Sequence, residues 1–289
     1  MSVAGPESVG PEPFGARLAR VLATTGQLCV GIDPHRGLLE AWGLPDSAAG
    51  TRDFGLRVVD AVGGRAGIVK PQVAFFERHG SAGYAALEDV LRAARDAGLL
   101  VIADVKRGDV GSTVDAYGEA WLAPGSPLEG DAMTAVAFQG LGSLDSVLDR
   151  AGKAGKGVFV LAATSNPEAF ATQAALESDG TTVAAAIVSA VGERNAVEAE
   201  GALGSVGVVI GATLDLAALG LTHASFAGMP ILAPGFGHQG ARIEQLPELF
   251  GAAAQNVLVS ASRSILSAGP SGLEAAIDDA VAEVAACRA

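Results

Sequence analysis

Residues 99–113 read LLVIADVKRGDVGST, an apolar run that ends in alternating acidic and basic side chains. Asp104 and Lys106 are two positions apart, so in a β-strand both side chains point to the same face. The residues before them are continuously apolar, which is typical of a parallel strand covered on both faces. Burying a carboxylate and an ammonium group is costly unless the two are paired. The segment therefore predicts a buried strand whose end carries either a structural ion pair or a reacting centre.

Short apolar runs of this kind recur along the chain and number eight. Helical patterns lie between them, the clearest at residues 81–97, with Ser81 as the expected N-cap and Gly98 after the end. Strand and helix, repeated eight times, predict the α/β class and a single (β/α)8 TIM barrel. A doubly wound sheet is the alternative, which is disfavoured because no GxGxxG motif follows the first strand. The predicted strands are Leu28–Ile32, Gly67–Val69, Leu99–Val105, Ala132–Phe138, Gly157–Ala162, Val206–Ile210, Pro230–Ala233 and Asn256–Ser260.

We expect one catalytic domain that spans residues 14–289. Residues 1–13 are rich in Gly, Pro and Ser and are predicted to be a flexible N-terminal segment. The longest interval between predicted strands lies at about residues 165–205 and contains the helical stretch Val183–Val197. We interpret it as an enlarged loop that helps to cover the active site.

The chain has 289 residues, a formal net charge of −13 and a pI of about 4.7. This balance argues against general binding to nucleic acid or to an anionic membrane, since both require a basic face. No apolar run reaches the ~18 residues of a membrane span, and the N-terminus lacks the apolar region of a signal peptide. Cys29 and Cys287 suggest neither a disulfide framework nor a zinc motif. We expect a reduced, cytoplasmic protein that binds neither nucleic acid nor membranes.

Polar side chains follow six of the predicted strands. They are Asp33, Lys70, the Asp104–Lys106 pair, Thr164 with Ser165, the loop Pro234–Gly240, and Arg263. Barrel enzymes place their chemistry at the carboxyl ends of the strands, where all six features lie. One polar strand end is commonplace, whereas six indicate a functional site.

The loop at residues 234–240 is rich in glycine, which lets backbone N–H groups approach an anion closely. Barrels often bind phosphate with the loops after the seventh and eighth strands, and Arg263 is placed to bind a phosphate in a bidentate manner. A plain turn or a surface arginine explains either feature alone, but together they favour a phosphate site. His35, His79 and His223 show no metal-ligand spacing.

Five motifs in chain order resemble those of the orotidine 5′-monophosphate decarboxylases. The central motif is Asp-x-Lys-x-x-Asp at positions 104, 106 and 109, with Thr113 four positions further on. The others are Gly31–Pro34, Val69–Gln72, Pro234–Gly240 and Ser262–Ser264. The resemblance covers residues 14 to about 266 and is nearest to the branch found in mycobacteria and related bacteria.

The resemblance implies an enzyme that converts orotidine 5′-monophosphate to uridine 5′-monophosphate and carbon dioxide in pyrimidine biosynthesis, without cofactor or metal. Lys106 would be the cation that protonates C6 as carbon dioxide leaves, and Asp104 would lie against the substrate carboxylate. Asp109 would complete an alternating array with Lys70, Asp104 and Lys106, entering from the other subunit of a homodimer with shared active sites. Thr113 would reach across in the same way.

The same resemblance assigns other polar residues to parts of the nucleotide. Asp33 and Lys70 would meet ribose hydroxyls. Ser165 would contact the pyrimidine, although the adjacent Thr164 leaves the choice of hydroxyl open. The phosphate would be held by Arg263 and by the loop residues Gly235, Gly237, Gln239 and Gly240.

Three other functions stay open. Related barrels use the Asp-x-Lys-x-x-Asp motif with magnesium to decarboxylate or cleave sugar phosphates, although Lys70 and the loop with Gln239 favour a nucleotide. A Schiff-base aldolase would use Lys70 or Lys106. A catalytically inactive barrel that only binds phosphorylated ligands is disfavoured, because a pure anion site would gain from losing the carboxylates beside Lys106.

Overall fold

The computed structural model describes residues 10–198, 203–237 and 240–287 of the chain. Eight strands pair in sequence order and β8 also pairs with β1, so together they form a closed parallel barrel. The strands are β1 (Leu28–Ile32), β2 (Ile68–Pro71), β3 (Leu100–Arg107), β4 (Ala132–Val136), β5 (Gly157–Ala163), β6 (Val206–Ile210), β7 (Ile231–Pro234) and β8 (Val257–Ala261). The predicted TIM barrel is confirmed, and every predicted strand is found within two residues of its expected limits.

Most helices lie around the barrel against the outer faces of the strands, and α1 lies across its amino-terminal end. They are α1 (Phe14–Thr24), α2 (Arg36–Ala41), α3 (Ala48–Val62), α4 (Ala74–Glu77), α5 (Gly80–Asp96), α6 (Gly111–Leu122), α7 (Asp145–Ala154), α8 (Phe170–Gln173), α9 (Val183–Glu198), α10 (Leu246–Phe250), α11 (Arg263–Leu266) and α12 (Gly269–Ala286). Short 3₁₀ helices lie at Leu141–Leu144, Pro167–Ala169, Ala217–Leu219, His223–Phe226, Ile243–Gln245 and Gly251–Asn256. None of the described helices is both long and apolar enough to cross a membrane.

Two local predictions were wrong. Ser81 is not the N-cap of α5, because that helix begins at Gly80 and its N-cap, His79, makes no side-chain capping hydrogen bond. The chain enters α5 almost directly from α4, so Ser81 lies within the first turn. The fourth strand ends at Val136 rather than Phe138, whose side chain is 83% exposed at the barrel rim. Gly98 does follow the end of α5, in the left-handed conformation at φ +74°.

The lower end of the barrel is closed by the N-terminal helix. Phe14 of α1 is fully buried and packs edge to face on Phe159 of β5, with ring centroids 6.0 Å apart. Leu18 and Leu22 continue this plug against inward-facing side chains of the strands. Because these side chains fill the amino-terminal end of the barrel interior, a ligand can enter the interior from the carboxyl ends of the strands.

The segment between β5 and β6 carries its own short structure. It contains a 3₁₀ turn, α8, an antiparallel bridge between Leu176 and Thr182, and α9. The helix expected at residues 183–197 is found as Val183–Glu198. Of the N-terminal segment predicted to be flexible, residues 1–9 lie outside the described part of the chain.

Candidate active site

Two adjoining cavities open at the carboxyl ends of the strands, with volumes of about 260 and 140 Å³. They share five residues, which are Lys70, Asp104, Lys106, Pro234 and Ser260. The larger cavity is lined further by Asp33, Gln72, Phe75, Gly235, Phe236, Ser262 and Arg263. The smaller one is lined by Thr134, Leu161, Thr164, Val209 and Leu232. One continuous site therefore has a polar half that ends at an arginine and a more apolar half suited to a flat ring.

A chain of charges crosses the floor where the cavities meet. Lys70 Nζ donates to Asp104 Oδ2 at 2.8 Å, and Lys106 Nζ donates to Asp104 Oδ1 at 2.5 Å. Lys70 and Asp104 are only 7% and 8% exposed, whereas the Lys106 side chain is 43% exposed and reaches the open cavity. The buried carboxylate is thus paired with one buried cation and one that a ligand can contact.

The charges in this cluster determine the protonation states of Lys70 and Asp104. Burial by itself would lower the pKa of Lys70, but the Asp104 and Asp33 carboxylates outweigh it and raise that pKa. Burial would likewise raise the pKa of Asp104, but Lys70 and Lys106 hold it well below its usual range. At neutral pH the site therefore contains an ionised Asp104 carboxylate paired with the Lys70 ammonium group, a preorganised arrangement of fixed charges.

Two residues that hydrogen-bond to these charged groups were missed from the sequence. The Thr134 hydroxyl on β4 donates to Asp104 Oδ1 at 3.0 Å. The Gln72 amide, oriented with its nitrogen toward Asp104 Oδ2, accepts from Lys106 Nζ at 3.2 Å. A lone hydroxyl inside the otherwise apolar run of β4 was the available signal for Thr134. Gln72 was visible only as part of a motif, with no charge to attract attention.

The far end of the polar half contains two of the predicted phosphate ligands. Arg263 opens α11 and lines the cavity with Gly235, which has φ +117°. Gly237 and Gly240 do not line it, and their N–H groups donate within the loop, to Ala241 O at 2.8 Å and to Gly237 O at 3.0 Å. Gln239, like His238, lies outside the described residues.

The residues predicted to contact the ribose and the pyrimidine lie in different parts of the structure. Asp33 lines the polar cavity, and its buried Oδ1 has no hydrogen-bond partner within the described parts of the chain. Thr164 lines the apolar half, where its hydroxyl donates to Asn166 Oδ1 at 2.8 Å. Ser165 lines neither cavity and packs against Gly211, where an added Cβ would come within 3.1 Å of it. Of these two adjacent residues, Thr164 is therefore the one that lines a cavity.

Asp109 and Thr113 lie apart from the site of their own chain. Gly108 passes so close to Val136 that a Cβ on it would be 2.2 Å from the carbonyl oxygen, and the backbone then leaves the barrel mouth. Asp109 Oδ1 accepts from the Val110 N–H at 2.8 Å, and Thr113 is exposed in the first turn of α6. Neither residue lines either cavity.

Among the described residues, no group of three or more His, Cys, Asp or Glu side chains is arranged to hold a metal ion. The acidic groups of the site are Asp33 and Asp104, and the second is already bonded to two lysines. The expectation of a reaction without metal or cofactor stays a prediction.

Comparisons with known proteins agree with the geometry. The model of the family described as orotidine 5′-phosphate decarboxylase / HUMPS matches residues 26–277. The orotidine 5′-phosphate decarboxylase of Salinispora tropica is 49% identical over 96% of this chain and 98% of its own length. That of Streptomyces coelicolor is 49% identical over 90% of this chain and 91% of its own.

Solved structures give the same grouping. A Streptomyces avermitilis protein assigned as an orotidine 5′-phosphate decarboxylase has a TM-score of 0.91 and 46% identity, covering 99% of both chains. The OMP decarboxylase of Leishmania donovani has a TM-score of 0.76 and 29% identity, covering 95% of this chain and 98% of its own. The chain therefore belongs to the orotidine 5′-phosphate decarboxylase / HUMPS family.

Proposed function

We infer that this chain is a carboxy-lyase that converts orotidine 5′-phosphate to uridine 5′-phosphate and carbon dioxide in pyrimidine biosynthesis. Close relatives over almost the full length support the assignment. The single structural observation that carries it is the Lys106 ammonium, held by buried Asp104 where a ring-sized apolar cavity meets a polar one that ends at Arg263.

The reaction needs a positive group at one atom. When the bond from C6 to the carboxylate breaks, carbon dioxide leaves and its electron pair stays on C6, which has no conventional electron sink. An ammonium fixed beside that carbon stabilises the charge better than mobile water does. Lys106 then delivers a proton from Nζ to C6 and regains one from solvent. Asp104 orients Lys106 and would lie against the carboxylate that departs.

The polar half accounts for the rest of the nucleotide. Asp33 offers an acceptor without a partner in the described chain, suited to a ribose hydroxyl, and Lys70 lies beside it. Arg263, with Gly235, is placed to bind the phosphate, joined in this proposal by Gln239. Binding energy from the phosphate, far from the breaking bond, then contributes to catalysis as well as to affinity.

The pyrimidine belongs in the apolar half. Leu161, Val209 and Leu232 supply a ring-sized apolar surface there, and Thr164 supplies a polar group at its edge. We keep Ser165 as the alternative hydroxyl, although it lines neither cavity.

A homodimer with shared sites explains where Asp109 and Thr113 act. Both lie beyond the end of β3 and outside the cavities of their own chain, and two large apolar side chains near them are exposed: Val110 is 54% exposed and Phe138 is 83% exposed. Exposed apolar groups of this kind mark interaction surfaces. In the proposed dimer this surface packs against its copy, and Asp109 enters the partner's site beside Lys106.

A magnesium-dependent sugar-phosphate enzyme is the second candidate, because the matched family includes HUMPS proteins as well as orotidine 5′-phosphate decarboxylases. A Schiff-base aldolase is disfavoured at Lys70, because a raised pKa leaves little unprotonated amine to attack a carbonyl. Absence of nucleic-acid and membrane partners and a cytoplasmic location stay predictions from the sequence.

The deciding experiment is an absorbance assay of the purified chain with orotidine 5′-phosphate in the presence of EDTA. Rapid loss of the substrate absorbance with release of carbon dioxide supports the proposal. No turnover of the nucleotide, together with magnesium-dependent turnover of a keto sugar phosphate, supports the second candidate.

A further inference from the structure

We propose that Thr134 is a positioning residue whose single hydroxyl fixes the strained backbone of Lys106 relative to the carboxylate of Asp104. The inference deepens the proposed function, since it takes Lys106 as the proton donor. It rests on three separate features of the structure: a backbone conformation, a strand irregularity and a pair of hydrogen bonds.

The backbone of Lys106 is strained. Its φ of +48° is the one positive φ recorded for a residue other than glycine in the described chain. This left-handed conformation brings Cβ close to the following carbonyl oxygen and persists in an L-residue only where the surroundings compensate for it. The strain lies at the residue whose ammonium group carries the proposed chemistry.

The strand pairing shows where compensation is needed. β3 and β4 are in register at Ala103 and Met133, and again at Arg107 and Ala135. Three residues of β3, Asp104 to Lys106, therefore stand opposite Thr134 alone. Such a bulge removes backbone groups from the regular ladder and re-aims side chains, as is common next to active sites. Without a substitute partner, the Lys106 N–H would be left unsatisfied.

Thr134 supplies that partner. Its Oγ1 accepts from the Lys106 N–H at 2.9 Å and donates to Asp104 Oδ1 at 3.0 Å, and the residue is 1% exposed. A hydroxyl has one proton, so accepting from Lys106 leaves that proton for Asp104. One side chain thus fixes both members of the ion pair, Lys106 through its backbone and Asp104 through its carboxylate.

The test compares three substitutions in the full chain. Thr134→Val keeps the branched shape and removes both hydrogen bonds, whereas Thr134→Ser keeps the hydroxyl. Thr51→Val is the matched control, because Thr51 is also fully buried but lies on α3 and donates only to Ala48 O. We expect Thr134→Val to lower kcat by about 10²-fold with KM within about threefold, since small misplacements of reacting groups cost this much. Thr134→Ser and Thr51→Val should stay within about threefold of wild type.

Crystal structures of wild type and Thr134→Val test the inference independently of any activity measurement. The inference expects φ of Lys106 to relax to negative values and the Lys106–Asp104 contact to lengthen in the variant. If Thr134→Val does not fold, Thr134→Ala must show the kcat loss instead, with serine again restoring it.

A kcat of Thr134→Val within threefold of wild type would overturn the inference. So would a Thr134→Ser variant as damaged as Thr134→Val, because side-chain volume and not the hydroxyl would then be responsible. If wild type does not turn over orotidine 5′-phosphate, the proposed function fails, and the two crystal structures still decide whether Thr134 holds Lys106.

Discussion

Replacing Lys70 by methionine should both destabilise the barrel and abolish catalysis. Asp104 is 8% exposed and would lose its bond from Lys70, keeping Lys106, Thr134 and Gln72. Removing one partner of a buried ion pair lowers the free energy of unfolding by about 3–5 kcal/mol. Because Asp104 keeps three other partners, we expect a loss of about 3 kcal/mol here. With about 2.1 cal/mol/K of unfolding entropy per residue, the 289-residue chain should lose roughly 5 °C in Tm.

The pH dependence of this loss follows from the two pKa shifts. The pKa of Asp104 is lowered, so its contribution to stability is present above the unfolded-state pKa of about 3.9 and is lost as pH falls through the folded value. The pKa of Lys70 is raised, so its contribution is present below about pH 10.4 and is lost as pH rises through the folded value. The difference between wild type and variant should therefore be largest from about pH 4 to pH 10.

Lys156 provides a matched control at the other end of the barrel. It is 7% exposed, as Lys70 is, and its Nζ lies 2.7 Å from Glu129 Oε1, far from the cavities. Denaturant unfolding of Lys70→Met and Lys156→Met should show comparable losses of free energy, while only Lys70→Met loses turnover. An unfolding free energy of Lys70→Met within about 0.5 kcal/mol of wild type across the window would refute the argument, as that is the range of neutral surface changes.

The remaining predictions concern the phosphate, metals and the dimer. Arg263→Ala should lower kcat/KM for the nucleotide by about 10²-fold or more. Added phosphite should partly restore wild-type turnover of orotidine, the substrate that lacks the phosphate. Equal wild-type rates on orotidine and on its 5′-phosphate would contradict this role of Arg263. Exhaustive EDTA treatment should leave activity unchanged, and loss with recovery in magnesium would favour the sugar-phosphate alternative. Mixed Lys106→Ala and Asp109→Ala subunits should regain roughly a quarter of wild-type activity, and no gain after exchange verified by mass spectrometry would exclude shared sites.

The architecture could be predicted because strand ends carry their own signal. Buried parallel strands are continuous apolar runs, and a polar residue at the end of each run marks the barrel mouth. Lys70, Asp104 and Arg263 were placed correctly at that mouth for this reason. The same logic extended β4 to Phe138, because an apolar residue at an exposed rim is indistinguishable in sequence from one in a strand.

The finer geometry could not be predicted, since it depends on contacts between strands. The expected alternation put Asp104 and Lys106 on one face of a regular strand, whereas the bulge opposite Thr134 sets their relative position. Gly237 and Gly240 looked suited to phosphate, but their N–H groups close the loop on itself. Thr164 and Ser165 are adjacent in sequence, and only the fold shows which lines the cavity.

Turnover of orotidine 5′-phosphate by wild type and by Lys106→Ala decides whether this lysine carries the reaction. Lys106 is 43% exposed at its side chain, so the substitution leaves the core intact and circular dichroism should match wild type. Loss of both the charge stabiliser and the proton donor predicts a fall in kcat/KM of at least about 10⁴-fold. A folded Lys106→Ala variant with turnover within tenfold of wild type would contradict the assignment.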